Sequence, residues 1–371
     1  MSRGVLSSLS KAGLIGILVS LLYLTILEPF SILEIPKLKT QDLFFSARYF
    51  LTRPQPILSD IVLITIDDES IEKIQERWPF RRKVYAQLLE KITASQPRLV
   101  GFDFIFSGKG EPSDDFLLSQ ALAKSGQTIL ASVVDLDGNY ILPLDELVAS
   151  AQSVGTVNKL LDRDLNVRRS NLMYLDKDGN VVSWSWETEI MISLLNLDRT
   201  RYQITPKSIQ FESGRFFVPF YDSNKRWTMI NYRANLKEID HIPLWQALKS
   251  KDLASRLADK IVLVGATSQV LHDYYHTPLG LMPGVVVNLN LLGNLLARDF
   301  IKKIPMGFNM LFVFLLVFLA SYLSIRENVL RSFVILALAT ASFLVGFFIL
   351  FENNYLGDYL TPFLGGWVIF T

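Results

Sequence analysis

Four apolar runs constrain this chain more than anything else in it, because each needs either lipid or a protein core to cover it. They are residues 12–27 (AGLIGILVSLLYLTIL), 304–325 (IPMGFNMLFVFLLVFLASYLSI), 332–351 (SFVILALATASFLVGFFILF) and 359–371 (YLTPFLGGWVIFT). A helix that crosses a bilayer needs about 20 apolar residues. The second and third runs reach that length with no charged residue inside. The first is shorter, and Phe30 and Ile32 extend it past Glu28. The fourth ends with the chain at Thr371, which reads either as the boundary of a fragment with a cytoplasmic module beyond it, the preferred expectation, or as a natural end with the run forming a membrane hairpin. Arg3 and Lys11 in front of the first run also suit a signal peptide. No small-x-small cleavage site follows at Leu27-Glu28-Pro29-Phe30, so an uncleaved anchor is the expectation.

Lysine and arginine beside the runs set the orientation. Arg3 and Lys11 place residues 1–11 in the cytoplasm. Arg326 and Arg331 place the loop between the second and third runs there too. The loop ENNYLGD between the third and fourth contains Glu352 and Asp358 and no basic residue, so it lies outside. Lys302 and Lys303 run against the rule and are outvoted. The expectation is a multi-pass protein of the inner (plasma) membrane with residues 28–303 outside, in the periplasm or extracellular space.

Those residues read as one α/β domain. Residues 61–66 (IVLITI), 99–106 (LVGFDFIF), 129–134 and 260–265 (KIVLVG) are short, continuous apolar runs, the signature of strands buried on both faces. Helical spacing predicts helices over 81–96, 115–124 and 285–298, the last leading to the membrane. Another, over 37–52, is bracketed by Pro36 and Pro54 and runs in from the first span. Strands alternating with helices imply a mostly parallel sheet with helices on both faces. Residues 171–175 and 181–184, joined by Asp176-Lys177-Asp178-Gly179, predict an inserted β-hairpin. With 37 basic and 36 acidic residues, net charge +1, the chain lacks the basic excess of a nucleic-acid binder. It has no cysteine, which excludes disulfides, thiolate metal sites and cysteine nucleophiles.

Several stretches resemble the CHASE type 2 family, the extracellular sensors of bacterial membrane receptors. They are Asp42; Asp60-Ile61-Val62 through Ile66-Asp67-Asp68-Glu69-Ser70; Trp78-Pro79-Phe80-Arg81; Gly101-Phe102-Asp103-Phe104-Ile105-Phe106; Lys260 to Ala266; Asp273; Thr277-Pro278-Leu279; and Pro283-Gly284-Val285. Asp162-Arg163-Asp164-Leu165-Asn166-Val167-Arg168-Arg169 resembles the family's Asp-x-Asp-Gly-x-x-Arg-Arg element. It has Leu165 in place of Gly, so the turn there is expected to put its positive φ on Asn166. The resemblance covers most of residues 38–300. It implies a sensor of signals between one N-terminal span and three further spans, followed by a cytoplasmic cyclase or kinase. It implies a homodimer and a cytoplasmic signalling partner, and it names no ligand.

The ligand-binding candidates are Asp67, Asp68 and Asp103 at the ends of two strands, Asp273 in the loop after a third, and Arg81 and Arg168 as their charge partners. In open α/β sheets ligands bind beyond the carboxyl ends of the strands, and carboxylates gathered there can hold a cation. The structural alternative is helix capping, by Asp68 or Ser70, and ion pairing with the arginines. No catalytic residue, metal or cofactor is assigned. Asp67 and Asp103 lack the Asp-x-Asp spacing of a phosphatase and have no readable lysine partner. His272 and His276 are four apart, but in a segment with no helical period. Asp162, Asp164 and Asn166 begin like a calcium loop, yet Val167 and Met173 stand where Gly and Glu are needed. Trp78, Phe80, Trp184 and Trp186 read as core. An envelope enzyme, or a transport- or assembly-associated membrane protein using the acidic strand ends, is the alternative function.

Overall fold

The computed structural model describes residues 3–27, 32–51, 56–222 and 224–370. Glu28, Phe30, Pro54 and Thr371, which figure in the sequence-based expectations, lie outside the described residues. The chain forms two compact units, one of Met1–Leu51 with Ile301–Thr371 and the other Thr52–Phe300.

The central unit is built on a seven-stranded sheet: β1 (Ile61–Ile66), β2 (Leu99–Asp103), β3 (Thr128–Val134), β4 (Tyr140–Ile141), β5 (Ser153–Thr156), β6 (His241–Pro243) and β7 (Ile261–Ala266). Its order is β6-β1-β7-β2-β3, and β3 pairs beyond that with both β4 and β5. All pairings are parallel except β3 with β4. Every residue of β1 and β2 is buried, as the unbroken apolar runs require. The second predicted strand stops early, at Asp103, and this puts that carboxylate at the strand's carboxyl end.

Alternation sends the two sets of side chains to opposite faces. Val62, Ile64, Ile66, Val100, Phe102, Val262 and Val264 share a core with helices Arg82–Ala94, Pro112–Ser125 and Leu244–Lys249. The other face carries helices Trp186–Leu194 and Gly284–Ala297. The latter is apolar but only 14 residues long, and nearly all of it is buried within this unit. Asn290 and Asn294 bond from it to the backbone of Asn231, Arg233 and Ala234, satisfying groups that have no strand partner there. The predicted hairpin is present as Met173–Leu175 paired with Val181–Trp184. Its turn is tied by Asp176 to Asn180, and Gly179 is at φ 86°. His276 lies in a short strand, Tyr274–Thr277, and His272 in the turn before it.

Among the described residues, two helices, both in the other unit, are long and apolar enough to cross a membrane. They are Met306–Arg326, mean hydropathy 2.2, and Val329–Glu352, mean hydropathy 2.6. The expected four spans are corrected to two by this criterion. The apolar part of the first helix is Ser7–Leu22, followed by a π-helical turn Tyr23–Leu27. Leu360–Phe370 has 11 residues, about 17 Å of helix at 1.5 Å per residue, against a hydrocarbon layer of about 30 Å. Both pack against Met306–Arg326. Only 11% of the Val329–Glu352 window is buried within the chain. Phe333, Val334, Leu338, Val345 and Ile349 are bare on it, a surface that water would penalise.

One end of this helical unit is rich in polar contacts. Tyr23 donates to the Asp358 carboxylate at 2.9 Å, Lys37 pairs with the same group at 2.9 Å, and Lys302–Lys303 runs parallel to Tyr355–Leu356. Helix Glu34–Leu51 joins this end, where the buried Arg48 lies 4.0 Å over the Phe351 ring. Arg326 and Arg331 flank the turn between the two long helices, at their other end.

Candidate functional site: a cleft at the carboxyl ends of the strands

The sheet order sets the stage. The chain builds β1 and β2 early and places β7, the last strand of this sheet, between them. The carboxyl ends of β1, β7 and β2 are therefore adjacent, in the register Thr65, Gly265, Asp103. All three side-chain positions face helix Gly284–Ala297. Gly265 is what lets that helix approach: a Cβ there would lie 2.6 Å from the Cβ of Val285. One turn along, Asn288 donates to Asp103 Oδ2 at 2.9 Å.

A cavity of about 530 Å³ opens at this point. Its polar wall consists of Asp103, Asp273, Lys159, Asn158, Tyr275 and Asn288. Trp78, Phe104, Ile105, Leu161 and Leu271 supply much of the rest. Apolar walls with a few convergent polar groups are the usual make-up of a small-molecule site. Lys159 is almost fully enclosed. It donates to the Val157 carbonyl at 3.0 Å and to the Asn288 side-chain oxygen, and it pairs with buried Glu187 at 3.7 Å. Gly284 opens the helix against Asp273, and a Cβ there would strike both carboxylate oxygens at 2.6 Å. The carboxylate thus sits against a helix N-terminus, which favours negative charge.

Burial pushes the Asp103 carboxyl up to about 7, with Lys159 pulling down and the Asp273 charge pushing up. Burial likewise raises Asp273 and Glu187, each opposed by Lys159. Tyr275 is pushed up to about 12 by burial and by the charge of Asp273.

Of the six candidates, the structure brings Asp103 and Asp273 together in the cavity. Asp67 instead caps helix Asp68–Lys73, accepting from the Ser70 amide at 2.8 Å. The cap foreseen at Asp68 or Ser70 lies one residue or more earlier. Asp68 accepts from the Ser268 hydroxyl, on the loop after β7. Arg81 holds Asp114 through two bonds of 2.7 and 3.0 Å, and Arg81 keeps that carboxyl below its usual range. It therefore pairs with none of the strand-end acids. Arg168 is 1% exposed and donates at 2.8 Å to Asp162 and twice at 2.8 Å to Asp164. These bonds close the turn between Leu160–Leu161 and Val167–Asn171, so the Asp-x-Asp…Arg-Arg element is a clamp whose strand begins beside Lys159. The positive φ in that turn is on Leu165, at 63°, and not on Asn166.

Lys159, Glu187 and Asn288 were not foreseen. Nothing in the local sequence marks Lys159 or Glu187. Asn288 had a signal: it is a polar residue inside an otherwise apolar helix, where an unsatisfied amide would be costly.

Gly265→Ala should cost about 1–3 kcal/mol, the usual range for an overpacked core, because the new methyl group meets the β-branched, fully buried Val285. Denaturant titration of the full chain in detergent checks this. An unchanged midpoint would mean that the helix does not rest on the sheet as described.

The family model described as "CHASE2 domain" matches residues 14–323. That match begins inside helix Arg3–Leu22 and ends within Met306–Arg326, so it includes the apolar helices on both sides of the sheet-bearing unit. No curated protein and no solved structure matches the chain.

Proposed function

The chain belongs to the CHASE2 domain family, a family of extracellular sensory domains, and on that premise we propose that it is the sensing part of a bacterial membrane receptor. Residues 28–303 lie outside the inner membrane. The two long apolar helices anchor them, and the two shorter apolar helices pack against Met306–Arg326. A small molecule entering the cleft biases the helix packing, and a cytoplasmic signalling module outside these residues reads the result. The receptor works as a homodimer.

The observation that carries this reading is the position of helix Gly284–Ala297. Its first turns line the cleft through Gly284 and Asn288, and its last residue precedes Met306 by only a short connection. A ligand that binds one position of this helix better than another shifts its population. The covalent continuation into an apolar helix gives that shift a route across the bilayer. The polar contacts joining Tyr23, Lys37 and Asp358 support an arrangement with those three residues on one side and Arg326 and Arg331 on the other.

The lack of native cysteine makes single-cysteine labelling a clean test. In intact spheroplasts a membrane-impermeant maleimide should label Leu136→Cys, at a fully exposed turn, and should label Glu327→Cys only after permeabilisation. Equal labelling of both without permeabilisation would overturn the receptor reading.

A further inference from the structure

Two carboxylates and one ammonium group line the cleft, and the ammonium is already engaged by a third carboxylate behind it. Lys159 is 4% exposed and its partner Glu187 2%, at 3.7 Å. The remaining donor capacity of Lys159 goes to Val157 and Asn288. That leaves Asp103 and Asp273 without a counter-charge of their own. Asp103 is 8% exposed. Its Oδ2 accepts from Asn288, while its Oδ1 accepts no hydrogen bond among the described residues and borders the cavity. A buried carboxylate in that state is expensive unless a proton or a cation joins it. The Asp273 carboxylate lies close against Gly284, in space that a Cβ there would take.

A divalent metal is the wrong size of answer. Calcium takes 6–8 oxygen ligands, and among the described residues no three histidine, aspartate or glutamate side chains converge to hold an ion. Most of the lining side chains carry no oxygen. Trp78, Phe104 and Tyr275 bring aromatic surface to the same cavity, and aromatic rings attract cations as well as apolar groups.

We infer that the cleft binds a small organic ammonium ion, its N–H groups shared between Asp103 and Asp273 and its apolar body lying on the aromatic wall formed by Trp78 and Phe104. This rests on the cleft being the sensor's ligand site. The volume of about 530 Å³ suits it, falling in the range of about 300–1,000 Å³ of small-molecule pockets.

The test uses the full chain in lipid nanodiscs and three probes of one shape: phenethylamine, 2-phenylethanol and phenylacetate, titrated calorimetrically. Phenethylamine should bind saturably and the other two should not. Asp103→Asn keeps an oxygen for Asn288 to donate to, and with Asp273→Asn it should weaken phenethylamine by about tenfold or more, the cost of a lost charged hydrogen bond. Both variants should melt as cooperatively as the parent. If 2-phenylethanol or phenylacetate binds as well, if none of the three binds, or if magnesium or calcium binds in an Asp103-dependent way, the ammonium assignment is overturned. Such a result leaves the receptor reading standing. That reading fails separately, if Leu136→Cys and Glu327→Cys label from the same side.

Discussion

Arg168→Met should lower the stability of the chain by about 3–5 kcal/mol, the typical cost of breaking a buried ion pair from one side. Its guanidinium holds Asp162 and Asp164 together at 2.8 Å, and all three side chains are at most 7% exposed. Burial already raises the Asp162 carboxyl in spite of Arg168 and Arg169. Without Arg168 the two carboxylates must either protonate or open the turn. The same turn leads back to Lys159, so the loss should also expose the cleft. Arg201→Met, which removes a largely exposed pair with Asp198, should leave stability unchanged. Chemical denaturation of the two variants side by side separates a buried clamp from surface charge. A small loss for Arg168→Met would show that the turn is held by something else.

The second large effect is one of pH. Asp103 ionises near 7 in the folded protein and near 3.8 as an ordinary carboxyl. Between those values the folded chain holds a proton that the unfolded chain has released. Stability from this group is therefore greatest below about pH 4 and declines as pH rises towards 7, by about 1.4 kcal/mol per unit. Asp273 in the same cavity and Glu187 behind Lys159 are raised as well, so they act in the same direction. Lys159 opposes all three, and Tyr275 stays neutral throughout. Asp103→Asn should remove most of the decline. At pH 8 the variant should be more stable than the parent by a few kcal/mol, and near pH 4 the two should coincide. Parallel stability curves across that range would show that Asp103 is not buried as described. A cation in the cleft would stabilise the ionised form, so phenethylamine should flatten the parent's decline and leave the variant's unchanged.

Both effects depend on residues of very different legibility. Asp103 was legible as an acid of a buried strand beside the sheet's carboxyl ends, although the predicted strand ran on to Phe106 and the structure ends it at Asp103. Asp67 looked equivalent on the same grounds. The structure separates them: Asp67 turns back to cap the next helix, while Asp103 faces helix Gly284–Ala297. Capping is decided by backbone direction after the strand, which a run of apolar letters does not encode. Arg81 and Arg168 were legible as ion-pair formers but not by partner, since Asp114 lies 33 residues from Arg81. Lys159 was not legible at all. It lies 56 positions from Asp103 in sequence, and it is the parallel pairing of β5 with β3 that carries the chain to the cleft just before Lys159.

The chain's own letters determined the class of the fold. Unbroken apolar runs of five or six residues need a sheet covered on both faces, and runs of about 20 need lipid. These are local requirements, met within each segment by hydrogen bonding and burial. Only the tertiary structure decided that β7 inserts between β1 and β2, and that the apolar helix after it is a core element and not a span. Strand order and helix placement are settled by which faces fit together, and here the fit rests on the missing side chain of Gly265 beneath Val285 and on the amide of Asn288 reaching Asp103. Such matches join residues far apart in the chain, and their energy exists only once both surfaces are in place.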